Sequence, residues 1–256
     1  MSASTQPQAS SLPSPVAAAA RRNRGFYQRY WAGNYARRQL VWREWWGEGY
    51  ALARRWAGDL SGCRVLSLFS GDGDDALELR AAGVQVVAAD FARSGLERLR
   101  GSGVLAVCGD AHRLPFRAGC FDRVFVVNGL CHTDKARVLA ECRRILAPGG
   151  RILVIEAMRW PHVAVLLRWL DPFFWRAPYR HLSRAEIRRL VAPFGRVQER
   201  QLFLLSVLSV MLLRLFPGLW ALRRLHARLM AWDRKLLQRF AVLRSIGYLS
   251  VLCLEA

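Results

Sequence analysis

Polar residues able to grip a nucleoside-like ligand recur wherever an apolar run of the chain ends. Ser70-Gly71-Asp72-Gly73 closes the run Arg64–Phe69, Asp90 closes Val84–Ala89, Gly109-Asp110 closes Val104–Cys108, and Asn128 ends the run that starts at Phe121. Glycines at 71 and 73 let backbone come close to a ligand, because no Cβ stands in the way. An acid that closes the second run is placed to accept hydrogen bonds from both hydroxyls of a ribose. Each feature alone has an ordinary explanation, a turn for the glycines and a helix cap for Asp90 or Asp110. Their joint appearance at successive run ends points to a ligand site.

Gly71 to Ala76 also satisfies the G-x-G-x-x-G/A pattern of dinucleotide binders. Charge argues against that ligand, since a pyrophosphate at the following helix start would meet Asp72, Asp74 and Asp75. A cationic ligand would be welcome there. Asp74 and Asp75 also suit the positive end of the helix dipole with no ligand at all.

The elements that must position these residues follow from the apolar pattern. The stretch from Arg64 reads as strand, glycine turn and then helix over Ala76–Ala82. Val84–Ala89, Val104–Cys108 and Phe121–Asn128 are further strands, Lys135–Leu146 is a helix stopped at Ala147-Pro148-Gly149-Gly150, and Arg151–Glu156 is a fifth strand. Strands separated by helices require parallel pairing through crossovers, which predicts an α/β fold, a Rossmann-like doubly wound sheet. Ligands of such sheets lie beyond the carboxyl ends of the strands, where strand order reverses.

Charge divides the 256-residue chain differently. Residues 61–156 hold 13 Lys and Arg against 11 Asp and Glu, whereas residues 157–247 hold 17 against 4, within a total of +20. An anionic partner is therefore expected at the flanks. The six cysteines show no C-x-x-C and no closely spaced histidines, so no metal site is expected and a reducing compartment is favoured. Residues 1–23 lack the hydrophobic bulk to fold and read as a disordered tail. Their acid-free, Arg- and Ser-containing character also allows a mitochondrial import signal as an alternative to a cytoplasmic location.

Val65-Leu-Ser-Leu-Phe-Ser-Gly-Asp-Gly73, Val87-Ala-Ala-Asp90, Gly109-Asp-Ala-His-Arg-Leu-Pro-Phe116, Phe121-Asp122, Gly129-Leu-Cys-His132 and Glu141 to Gly150 together resemble the class I methyltransferases, particularly the ubiquinone and menaquinone biosynthesis type. The resemblance spans roughly residues 60 to 156. It implies S-adenosyl-L-methionine as cofactor, with Gly71 and Gly73, flanked by Ser70 and Asp72, against its amino-acid end. It further implies Asp90, followed by Phe91, on the ribose, Asp110 with Ala111 at the adenine, and Asn128 near the methionine moiety. His132 is the candidate general base. The family often carries an acid where this chain has Ser67 and a glycine where it has Phe69, substitutions that bear on cofactor contacts and on the shape of the turn. An antiparallel strand pair, supplied here by Gly195–Leu204 and Tyr248–Glu255, completes the family fold.

Outside that span, residues 24–60 interleave Tyr27, Tyr30, Trp31, Tyr35, Trp42, Trp45 and Trp46 with arginines, and relatives place a helical lid there. Residues 157–247 form a basic, apolar helical extension, and residues 248–256 a terminal strand. His162 and His181 are weaker base candidates, while Ser183-Arg-Ala-Glu186 is a helix capping box. Leu222, Leu225, Leu229, Trp232, Leu236 and Phe240 make one apolar helix face opposite Arg223, Arg224, Arg228, Arg234, Lys235 and Arg239. Such a helix covers the catalytic domain, meets a partner, or lies on anionic lipid. The function expected is methyl transfer to a small lipophilic acceptor, such as a quinone or lipid, beside a membrane surface. The alternatives are an RNA methyltransferase, for which no recognised RNA module is present, and a non-catalytic binding protein that kept the fold.

Overall fold

The computed structural model describes residues 25–29, 35–159, 180–216 and 218–255. The expected tail, Tyr30, Trp31 and the stretch 160–179 with His162 lie outside the described residues, as do the side chains of Trp42 and Trp45.

Alternating apolar residues build one seven-stranded sheet: β1 (Arg64–Leu68), β2 (Gln85–Asp90), β3 (Leu105–Cys108), β4 (Phe121–Val127), β5 (Leu146–Ala157), β6 (Arg196–Leu202) and β7 (Leu249–Glu255). Their order is β3-β2-β1-β4-β5-β7-β6. β1 pairs in parallel with β2 and β4, β2 with β3, and β4 with β5. β7 runs antiparallel to both β5 and β6. From β1 the chain moves outward to β2 and β3, then returns to β4 on the other side, so strand order reverses between β1 and β4. This is the expected doubly wound, Rossmann-like sheet with an antiparallel strand pair at one edge, and the topological switch point is flanked by the glycine turn and Asn128.

The helices are α1 (Tyr35–Ala57), α2 (Asp74–Ala81), α3 (Arg93–Leu96), α4 (Lys135–Ile145), α5 (Arg184–Val191), α6 (Ser206–Leu215) and α7 (Trp220–Arg239). A further helical turn covers residues 25–29. Side chains of successive strand residues point to opposite faces, and the two cores follow that rule. Val65, Phe125, Val127 and Ile155 pack beneath Trp46, Tyr50 and Ala53 of α1, whereas Leu66, Leu68, Val124, Val126 and Ile152 pack beneath Val138, Cys142 and Ile145 of α4. Gly49 lets α1 settle on the sheet, because a Cβ there would stand 2.8 Å from Leu249.

One local expectation needs correction. The segment Ala147-Pro148-Gly149-Gly150 does not separate helix from strand. It belongs to β5, whose Leu146 pairs with Phe121 before the register shifts ahead of Arg123. A Cβ on Gly150 would stand 2.7 Å from Leu146 and 2.8 Å from the Ala147 carbonyl, so glycine admits this entry into the strand.

The rotation of α7 is set by its buried side. Its core-facing residues are His226, Met230, Asp233 and Leu237, and the face running from Leu222 to Phe240 is turned away from the core. The reason is polar. Asp233 accepts from the backbone N–H groups of Leu204 (2.8 Å), Leu205 (2.8 Å) and Ser206 (3.0 Å) and from Ser206 Oγ (2.5 Å), capping α6 from the neighbouring helix. His226 Nδ1 lies 2.9 Å from Ser209 Oγ. These contacts fix the rotation of α7 and leave Leu225, Trp232 and Phe240 facing outward.

Candidate functional site

The carboxyl ends of β1, β2 and β4 bring the turn Ser70–Gly73, Asp90 and Asn128 to one rim of the sheet. Gly71 and Gly73 both adopt left-handed backbone, with φ of 56° and 80°, which favours glycine. Gly73 has a second need, internal to the fold: a Cβ there would stand 2.4 Å from Leu99. Gly71 is approached from behind by Gly95, where a Cβ would stand 2.1 Å from the Gly71 carbonyl oxygen.

Asp90 ties the turn to β2. Its Oδ2 accepts from Gly71 N–H at 3.0 Å and its Oδ1 from Ala92 N–H at 2.8 Å. Burial pushes its carboxyl up to about 6, against the pull of the backbone N–H groups. An ionised carboxylate has about four acceptor positions, and these bonds use two. The remaining capacity suits a pair of ribose hydroxyls, so the residues present fit the nucleoside of the implied cofactor.

Acidity of the turn is met partly from within the fold. Arg98 lies 3.2 Å from both Asp72 and Asp74, which weakens the repulsion that the sequence alone assigns to these aspartates. Even so, burial and the neighbouring Asp74 raise the Asp72 carboxyl to about 6. Asp75 turns inward. It accepts from Ser67 Oγ (2.5 Å) and Tyr50 OH (3.2 Å) on one oxygen and from Ser70 Oγ (3.2 Å) on the other. A carboxylate therefore stands beside Ser67 although β1 itself carries none. Ser70 is thereby a support for the turn through its side chain.

Phe69 holds left-handed backbone at φ 62°, which is uncommon for a bulky residue. Its ring is seated on Gly129, where a Cβ would come within 1.9 Å of Phe69 Cγ. Phe69 and Gly129 thus close the gap between the glycine turn and the loop after β4. In that loop Asn128 also adopts positive φ, 47°, while its N–H donates to Ile155 O at 2.8 Å.

On the other flank, Ala111 is buried beside exposed Asp110. His112 Nδ1 lies 2.6 Å from Asp110 Oδ1, and that hydrogen bond holds the Asp110 carboxyl below its usual range. His112 Nε2 accepts from Asp134 N–H at 3.1 Å, joining the loop after β3 to the start of α4.

The helical turn 25–29 bridges the rim. Ser94 Oγ donates to Gln28 O at 2.8 Å, and Tyr27 meets the Phe91 ring edge-on at 5.9 Å. The Tyr27 hydroxyl stands 2.9 Å from His132 Nε2, with the rings 5.1 Å apart. The aromatic N-terminal segment therefore splits into two parts, a turn that reaches across Phe91 and His132 and a helix, α1, that is built into the core. His181 is half-buried beside the Ala157 backbone, and desolvation lowers its basicity to about 4.

Two features lay beyond sequence reasoning. The Tyr27–His132 pair joins residues 105 positions apart and carries no local signal. Glu156, the single acid of β5, is only 1% exposed and binds the loop after β4 through Leu130 N–H at 2.6 Å. A cavity of about 440 Å³ lies elsewhere, between α1, β6 and α7, and is lined by none of the rim residues.

Residues 66–154 match the family described as a methyltransferase domain. This segment, well under half of the chain, is similar to S-adenosylmethionine-dependent methyltransferase domains. The chain is 43% identical over 102 residues to demethylmenaquinone methyltransferase of Thermus thermophilus, a match covering 36% of this chain and 46% of that protein. It is 41% identical over 105 residues to the ubiquinone/menaquinone biosynthesis C-methyltransferase UbiE of Acidiphilium cryptum, covering 37% and 42%. The match thus spans less than half of either relative. A Thermotoga maritima protein described as an S-adenosylmethionine-dependent methyltransferase, possible histamine N-methyltransferase, superposes with a TM-score of 0.64 at 18% identity, over 91% of this chain and 98% of that one. That likeness extends the methyltransferase fold beyond the domain match to the terminal antiparallel strands. Within this domain the family's acid beside the glycine turn is replaced by Asp75 reaching Ser67 from α2.

Proposed function

We propose that this protein transfers the methyl group of S-adenosylmethionine to a quinone-like, lipophilic acceptor at an anionic membrane surface. The matched relatives are named for methylation in menaquinone and ubiquinone biosynthesis, which supports the acceptor class. The observation that carries the membrane part is the outer face of α6, α7 and the segment that follows. Eleven of the thirteen large apolar side chains exposed among the described residues lie between Leu205 and Ile246. Trp220 is 65% exposed and Trp232 64%.

Basic groups accompany them. Arg223, Arg224, Arg228, Lys235 and Arg239 are exposed on α7, and its one carboxylate, Asp233, is buried. Arg224 lies 4.6 Å from the centroid of the Trp220 ring. An apolar surface fringed by arginine suits the boundary between headgroups and acyl chains. No helix among the described residues is long and apolar enough to cross a membrane, so attachment at the surface is the form this reading takes. Free thiols at all six cysteines suit the cytoplasmic side.

When bound, the cofactor supplies a methyl already activated by its sulfonium. The protein's task is then placement and, for an acceptor of low acidity, removal of a proton. Asp90 offers acceptors to ribose hydroxyls, the turn 25–29 screens the rim from water, and His132, oriented by Tyr27, is the group available to take the proton.

Two measurements test this reading. Quinone extracts from cells with and without the protein should differ by one methylene in a quinone species, and the loss of that difference would exclude the acceptor class. The purified protein should sediment with vesicles containing anionic phospholipid, less so in high salt, and less so when Trp220 and Trp232 are changed to serine. Failure to bind any vesicle while binding structured RNA tightly would favour an RNA acceptor instead.

A further inference from the structure

We propose that Glu156 is the positioning residue of the loop after β4, holding Asn128 and His132 in place through a buried carboxylate that is only partly satisfied. The carboxylate lies at the carboxyl end of β5, and Leu130 N–H donates to its Oε1 at 2.6 Å. Gly129 N–H supports the same carboxylate. Its Oε2 is buried and has no hydrogen-bond partner. The residues it grips lie immediately between Asn128, whose left-handed backbone needs support, and His132, which faces Tyr27.

An ionised carboxylate buried with one oxygen unpartnered is costly, because nothing replaces the water lost there. Few groups around it relieve that cost. The field of Lys135 of α4 favours the ionised form and lowers its pKa, the Cys131 thiol of the loop donates weakly, and Ser250 pairs opposite on β7. His181, bonded to the neighbouring Ala157 backbone, is neutral near pH 7. Burial accordingly raises the Glu156 carboxyl to about 7, and the unpartnered Oε2 is the oxygen that takes the proton.

The direction of the effect follows from linkage. With the loop closed, Glu156 holds its proton up to about pH 7. When the loop opens and water reaches the carboxylate, its acidity returns toward the ordinary value near 4.3. The closed loop therefore binds the proton more tightly, is favoured at lower pH, and loosens as pH rises through 7. Asp72 and Asp90 titrate lower, at about 6, and act on the glycine turn instead.

Site-resolved amide hydrogen exchange on the ligand-free protein, corrected for intrinsic exchange rates, tests this. Protection of the Leu130 amide should fall about tenfold between pH 6 and pH 8 in the natural protein. In Glu156→Gln, a neutral isostere whose Oε1 still accepts from Leu130, protection should stay constant over that range. The Gly71 and Ala92 amides, held by Asp90, serve as internal controls that should not follow the same midpoint. Protection at Leu130 that rises with pH, or a Glu156→Gln profile identical to that of the natural protein, overturns the proposal. If Glu156→Gln fails to fold, Glu156→Met, which removes the acceptor, should leave Leu130 unprotected at every pH, and full protection there would equally contradict it. Neither arm uses a ligand, so the outcome is separate from whether the methyl acceptor is a quinone.

Discussion

Tyr27 and His132 meet through a hydroxyl-to-Nε2 contact of 2.9 Å that ties the N-terminal turn to the loop after β4. A group able to take a proton is thereby screened and oriented by a residue 105 positions earlier in the chain. In His132→Ala, affinity for S-adenosylhomocysteine should stay within about twofold while turnover falls by about a hundredfold or more, the usual share of a general base. Tyr27→Phe keeps both ring contacts and loses the hydroxyl, so its turnover should fall less. Single-turnover kinetics beside calorimetry separates the two effects, and a fully active His132→Ala would remove His132 from the chemistry.

Asp90 should govern affinity for the nucleoside. Replacing it by Asn keeps the side-chain size but leaves one acceptor oxygen for the Gly71 and Ala92 N–H groups, turns an NH2 toward the other, and removes the charged acceptor, at a cost of about 1 to 3 kcal/mol in binding. In the natural protein the Asp90 carboxyl titrates at about 6, and hydroxyl donors favour its ionised form. Affinity should therefore be level above that pH and fall below it, with the fall reduced in Asp90→Asn to the part contributed by Asp72. Titration calorimetry from pH 5 to 8 measures both.

Stability of the ligand-free protein should move the other way. Asp72, Asp90 and Glu156 all have folded-state values raised above their ordinary ones, to about 6, 6 and 7. The folded chain then holds more protons than the unfolded one across that window. Their contribution is present in full below about pH 4 and is lost as pH rises through 6 to 7. The thermal midpoint should fall between pH 5 and pH 8, and Glu156→Gln should flatten the upper part of that slope. A midpoint that rises over the same range would contradict the burial of these acids.

Phe69 and Gly129 should be energetically coupled. A methyl group at 129 would overlap the Phe69 ring, so Gly129→Ala should destabilise the protein by about 1 to 3 kcal/mol as an overpacked site. The same change in a Phe69→Gly background should cost much less, and denaturant unfolding of the four proteins yields the coupling directly. Additive effects would mean that the ring is not seated on Gly129.

Much of the fold was legible in the sequence because its signals are local. Five apolar runs, four of them closed by Gly, Asp or Asn, located β1 to β5 to within a few residues, and the family resemblance located the terminal pair. The start of β5 was not legible, since Pro148 and two glycines ordinarily mark a break, and only pairing of Leu146 with Phe121 keeps the chain extended there. The rotation of α7 was hidden for a related reason. Apolar spacing marked the face of Leu225 and Trp232 without saying which way it points, and the buried Asp233 cap of α6 turns it outward. Ser67 looked like the loss of an acid, and only the fold places Asp75 against it.

The central claim is that the rim formed by the glycine turn, Asp90 and the loop after β4 holds S-adenosylmethionine. Isothermal calorimetry of the purified chain with S-adenosylhomocysteine, and in parallel with NAD, tests it most directly. Saturable binding of one S-adenosylhomocysteine per chain, weakened in Asp90→Asn and absent with NAD, is the predicted result; tight NAD binding with no response to S-adenosylhomocysteine would contradict it.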